Sequence, residues 1–179
     1  MSKERQVRRP KLVSHAPFRV YTLKVFIIGG PVTKEFLKKN EVIGRTIQIR
    51  GDQTLADLHD AIFRAFDRWE EHLYEFQFGR GLHDPNGPRY TVNPQADSAF
   101  DRGNPPGDAE KTTLDSLGLK VDRAFGYWFD FGDNWMHQID VAAIDEVRPE
   151  EWHHRLPRVT ERIGKSPPQY APEDADDES

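Results

Sequence analysis

Five residues in one short stretch carry side chains able to do chemistry: Trp128, Asp130, Asp133, Trp135 and His137. They flank Gly132-Asp133-Asn134, a run of turn formers that reads as the tip of a β-hairpin. With Gly132-Asp133 at the turn, Asp130 opposes Trp135 and Trp128 opposes His137. With Asp133-Asn134 there, Asp130 opposes His137 directly. Opposed and diagonal side chains are within reach across a strand pair, so either register makes Asp130 and His137 neighbours, with Asp133 at the tip. A carboxylate beside an imidazole can orient a general base or hold a divalent metal. Its plainer use is to accept hydrogen bonds from the histidine or the turn amides and so fix the hairpin.

Two ligands on one hairpin are too few for a metal, so the metal reading needs His59 and His72 as well. His59 stands at the edge of a helical apolar stripe, and His72 precedes a strand; each also reads as an ordinary histidine at the core margin. Trp69, Trp128 and Trp135 read as packing aromatics, with an aromatic groove for a partner as the alternative. His153-His154 lies in a charged stretch and reads as surface.

The elements that must position these groups follow from periodicity. Phe18–Ile28, Arg45–Arg50 and Leu73–Phe78 are aromatic or β-branched with period-two alternation, and read as strands. Leu55, Leu58, Ala61, Ile62, Ala65, Phe66 and Trp69 recur at three and four, the stripe of an amphipathic helix capped by Thr54 or Asp52. Residues 31–44 are ambiguous. Residues 79–111 form a long Pro- and Gly-rich loop, Thr112–Leu119 allows a short helical turn, and Phe125–Phe131 with Trp135–Val147 form the hairpin. The expectation is an α+β domain over 18–148: a single mixed or antiparallel sheet with one main helix on one face, in a β-grasp-like element order. Residues 1–17 would be a basic flexible arm and 149–179 an extended acidic tail. Residues 45–50 would be an edge strand able to pair across a dimer.

Composition narrows function. The 179 residues include no Cys, which removes disulfides, thiolate zinc sites and thiol catalysis. No apolar run approaches the roughly 18–20 residues of a membrane span, and no secretory leader is visible, so a cytoplasmic protein is expected. Phosphate-cradling loops, nucleophile elbows and His-Glu-x-x-His motifs are missing. The net charge is −5; the cations cluster at Lys3, Arg5, Arg8, Arg9 and Lys11, against acids at Glu173, Asp174, Asp176, Asp177 and Glu178. A mildly acidic body argues against phosphate contacts as the main business of the fold.

Three stretches resemble the Ri-plasmid open-reading-frame-three-like family, also known as insertion-element passenger TnpR-like proteins. They are Val20–Val25, Thr54–Ile62 continuing through Phe66, Trp69 and His72–Phe76, and Phe129-Asp-Phe-Gly-Asp-Asn-Trp-Met-His-Gln-Ile139. The resemblance implies matching positions at Leu58, His59, His72, Leu73, Asp130, Gly132, Asp133, Trp135 and His137. It implies an α+β fold and carries no established activity. Asp67-Arg68-Trp69 departs from the Gly-Trp usual after the helix. The usual Pro-Pro-Glu-Asp-Cys-Gly-Gly ending survives only as Lys165-Ser-Pro-Pro-Gln-Tyr170 or Ala171-Pro-Glu-Asp174. The transposon-linked name points to recombination, yet neither a serine- nor a tyrosine-recombinase constellation is visible.

The favoured expectation is a non-enzymatic interaction module associated with plasmid or mobile-element genes, with a protein partner. The first alternative is a metal-dependent hydrolase or nuclease centred on Asp130, Asp133 and His137, with a divalent metal as cofactor. The second is a nucleic-acid accessory protein using the basic arm and the long loop.

Overall fold

Alternating apolar residues build the sheet. β1 (Phe18–Gly29) turns Tyr21, Leu23 and Val25 inward, and β2 (Gly44–Arg50) opposes them with Ile49, Ile47 and Arg45. In this computed structural model, which describes residues 16–82, 84, 86–95 and 104–171, six further strands follow. They are β3 (Tyr74–Gln77), β4 (Arg89–Thr91), β5 (Gly107–Asp108), β6 (Ala124–Phe129), β7 (Trp135–Val147) and β8 (Arg158–Ile163). The spatial order is β5-β4-β3-β6-β7-β1-β2-β8, and of the pairings only β4–β5 is parallel. The expected α+β class with one helix-covered sheet is observed.

One face is apolar because α2 (Leu55–Ala65) lies on it. Leu55, Leu58, His59, Ala61, Ile62 and Ala65 of the helix are buried, and they join Tyr74, Phe76, Phe125, Tyr127, Phe129, Trp135, Ile139 and Val141 in one core. The opposite face carries Lys24, Gln48, Trp128, Gln138 and Asp140, none of them fully buried, as an antiparallel sheet open to water on one side allows. Thr54 starts α2 through a capping box: its hydroxyl accepts from the Asp57 amide, and the Asp57 carboxylate accepts from the Thr54 amide. A short α1 (Lys34–Lys39), capped by Thr33, occupies part of the stretch the sequence left ambiguous.

The structure differs from the expected layout in four places. Residues 149–171 are not an extended tail: β8 pairs with β2, and Gly164–Tyr170 folds back as a strap over the end of the sheet. Periodicity misses β8 because it is an edge strand, largely exposed, with no apolar alternation to detect. It follows that β2 has neighbours on both sides and is no edge. The loop 79–111 contributes β4 and β5, while residues 83, 85 and 96–103 lie outside the described residues, as do 1–15 and 172–179. Finally, α2 stops at Ala65, so Trp69 is not part of its stripe.

Removing the α2 cap should cost about 1 kcal/mol. Thr54→Ala is therefore expected to lower the urea midpoint by that equivalent without changing the slope of the transition; an unchanged midpoint would show that the Thr54–Asp57 box contributes nothing.

Candidate functional site

The end of α2 shapes the site. Asp67 adopts φ 55°, the left-handed region that Asp tolerates better than most residues. The Asp67 amide donates to Arg64 O and the Arg68 amide to Phe63 O, the paired bonds of a Schellman motif. The reversal drives the Arg68 side chain inward, where its guanidinium lies 3.6 Å from the centroid of the fully buried Trp135 ring. Arg68 is only 8% exposed, and among the described residues its Nη1 and Nη2 have no hydrogen-bond partner. Burial lowers its pKa to about 10, only partly opposed by Tyr127, Asp130 and Asp67. A cation stacked on an indole recovers part of the lost hydration, but an unpaired buried charge remains a net cost.

Beside it, His59 stacks on Tyr74 at 3.8 Å between ring centroids. Its Nε2 lies 3.1 Å from the Glu71 carboxylate and its Nδ1 2.7 Å from the Tyr127 hydroxyl. A carboxylate only accepts, so Nε2 carries the proton, and the neutral ring's Nδ1 accepts from the Tyr127 O–H. Burial favours this neutral form and lowers the His59 pKa, with Glu71 acting in the opposite direction. Burial also raises the Tyr127 hydroxyl well above its ordinary range, so it stays protonated as a donor.

Of the residues expected to act together, the structure joins some and separates others. The register pairs Phe129 with Trp135 and Tyr127 with His137, leaving Asp130 in a five-residue connection instead of opposite His137 or Trp135. The two-residue turn gives way because Asp130 and Asn134 both adopt positive φ and the Asn134 amide closes onto Asp130 O at 2.7 Å. Asp130 Oδ1 accepts from the Gly132 and Asp133 amides, while Oδ2 lies 3.5 Å from His72 Nε2. The aspartate thus fixes the turn and faces His72. His137 donates from Nδ1 to Tyr127 O and packs against the rings of Tyr127 and Phe66. Trp128 lies on the other face, with its indole N–H on Asn134 Oδ1.

Asp130, Asp133 and His137 do not gather their ligand atoms into one set. Among the described residues, the group of three or more potential ligands within 4.8 Å of one another is His59, Asp60 and Glu71. There, His59 Nε2 bears the proton shared with Glu71 and offers no lone pair, so a metal would first have to displace that hydrogen bond.

Sequence reading missed the strap that packs against Trp69–His72 and Trp135. Gln169 is buried: its Oε1 accepts from the Trp69 and Glu70 amides, its Nε2 donates to Glu70 O, and its carbonyl accepts from Trp135 Nε1. Tyr170 meets the Trp69 ring edge-on and its hydroxyl is 2.9 Å from His72 Nε2. Arg45, another buried cation, donates to Ala65 O, Ile163 O, Gly164 O and the Ser166 hydroxyl, joining α2, β8 and the strap. One signal for it was readable: Arg45 shares the alternating face of Ile47 and Ile49, where a cation demands polar partners. For Gln169 there was only the rigid Pro167-Pro168 step ahead of it. Between strap and helix end lies a cleft walled by Trp69, Asp67, Arg162, Lys165 and Tyr170. Trp69, 69% exposed, is its largest apolar feature.

Comparison with known proteins agrees with the sequence resemblance. The family model of plasmid pRiA4b ORF-3-like protein matches residues 34–175, and the chain belongs to that family. A crystal structure of the protein of unknown function MM3350 from Methanosarcina mazei Go1 is similar, with TM-score 0.59 and 26% identity, over 81% of this chain and 70% of that one. No curated protein matches. The matched span, residues 34–175, includes β8 and the strap. Among the described residues, no helix is long and apolar enough to cross a membrane.

The His59 environment gives a signed pH dependence. Its folded pKa lies below 6.5, so near and below that pH the unfolded chain binds the extra proton and folding loses stability on acidification. The urea midpoint should fall between about pH 7.5 and 5.5, and His59→Gln should reduce that fall. A variant with the same pH profile as the parent would contradict the neutral, desolvated His59.

Proposed function

We propose that this protein is a non-enzymatic binding module that takes an acidic segment of a partner protein in the cleft between Trp69 and the 164–170 strap. The observation that carries this reading is the Trp69 ring: large, mostly exposed, and yet held in place. Its own amide and that of Glu70 are anchored to buried Gln169, and its edge rests on Tyr170. An aromatic side chain fixed at the rim of a cleft loses little entropy on contact and is the usual kind of interface anchor. The charged wall supports an acidic partner. Arg162 and Lys165 face the cleft, while its carboxylate, Asp67, already accepts from the Ser166 hydroxyl.

The groups that hydrolysis would use are engaged structurally. Asp130 caps its turn, His59 holds Tyr127 and Glu71, and His137 bonds a strand carbonyl. These contacts favour binding over the hydrolase alternative.

Selection of a displayed library of random peptides about 12 residues long on the full chain tests the proposal. Enriched binders should carry Asp or Glu beside an apolar residue. Trp69→Ala should weaken them by at least about tenfold and Lys165→Gln by a few-fold, whereas Trp128→Ala should have no effect. Failure to enrich any binder, or binders indifferent to Trp69→Ala, would refute it.

A further inference from the structure

Next to the aromatic cleft, and sharing Arg162 with it, a second groove runs between α2, residues 155–157 and β8. Arg64, Arg155, Arg158 and Arg162 line it, and among the described residues its lining includes no aspartate or glutamate. Among the described residues none of the four forms an ion pair. Two are pre-positioned by neutral groups: Arg158 donates from Nε to Gln48 Oε1 at 2.8 Å, and Arg162 from Nη1 to Ala65 O at 2.5 Å. Each keeps further N–H groups for an outside acceptor.

The end of α2 explains part of this charge. Arg162 and Arg45 both donate to Ala65 O, and cations suit the negative end of a helix dipole. That end carries only about half an elementary charge, so among the described residues most of the positive charge in the groove meets no carboxylate in its lining. In a chain of net charge −5 such a concentration of arginines is not a reflection of composition. Like charges brought together cost stability unless an anion offsets them.

We infer that this groove binds the phosphodiester backbone of nucleic acid. Guanidinium forks match phosphate oxygens in pairs, which lysines do not. Charge density separates this ligand from an acidic peptide. One nucleic-acid strand offers a charge about every 3.4 Å, whereas same-face side chains of an extended peptide recur only about every 6.6 Å. Backbone contacts position a strand without reading its bases, so binding through this groove is independent of sequence. The groove shares Arg162 alone with the aromatic cleft.

Fluorescence anisotropy of the full chain with a labelled oligonucleotide of about 20 nucleotides, single-stranded and as a duplex, tests it over about 50–200 mM salt. Arg64→Gln combined with Arg155→Gln is the informative variant, because neither side chain has a hydrogen bond among the described residues and the fold should survive, as thermal melting will verify. Binding should weaken at least about tenfold, and the slope of log K against log salt should flatten by about 1.4–1.8 for two lost contacts. Trp69→Ala should leave oligonucleotide affinity unchanged, which separates this groove from the peptide cleft. No oligonucleotide binding at the lower salt, an affinity within about twofold in the double variant, or equal competition by poly-glutamate at matched charge would each overturn the inference.

Discussion

The buried guanidinium of Arg45 is the interaction on which the rest of the structure depends. It sits on the core face of β2, above the Phe66 ring, and its five hydrogen bonds run to Gly44 O, Ala65 O, Ile163 O, Gly164 O and the Ser166 hydroxyl. None of these acceptors is a carboxylate. Burial, together with the neighbouring Arg162, lowers the Arg45 pKa, while an arginine nevertheless stays charged. A charge solvated by carbonyls and a helix terminus is tolerated only while those groups stay assembled around it. Arg45 therefore makes the end of α2, the edge strand β8 and the start of the strap a single unit.

The site inherits its shape from that unit. With the strap held at Ser166, Gln169 reaches the Trp69 and Glu70 amides and the Trp135 indole, and Tyr170 reaches His72. Arg68 is enclosed beneath, stacked on Trp135, and its terminal nitrogens find no partner among the described residues. Such a residue lowers stability where it stands, beside the cleft. The aromatic cleft and the arginine groove share Arg162, one rimmed by Trp69 and Tyr170 and the other lined by arginines.

What could be seen in the sequence, and what could not, follows from the physics of each signal. The long strands, α2 and the hairpin announce themselves because each buries one face, which imposes a period of two or 3.6. The helix start was readable to within two residues, Thr54 or Asp52, and the Thr54–Asp57 capping box decides between them. The pairing of Asp130 was not, because two positive-φ residues, Asp130 and Asn134, lengthen the connection and shift the register. Trp69 looked helical until Asp67 reversed the chain. β8 and the strap were invisible, since an exposed edge strand has no alternation, and the strap is held by hydrogen bonds between residues about 100 positions apart. Family resemblance supplied a hint that periodicity lacked, in the Pro-Pro ending echoed either by Lys165–Tyr170 or by Ala171–Asp174.

The most direct measurement is amide hydrogen exchange on the parent and Arg45→Lys, which keeps a charge but loses the fork. If Arg45 ties the strap to the helix end, exchange at Trp69, Glu70 and residues 163–166 should accelerate at least about tenfold, while β1, β6 and β7 keep their protection. Unchanged exchange at Trp69 and Glu70, or a uniform loss of protection across the sheet, would contradict the account.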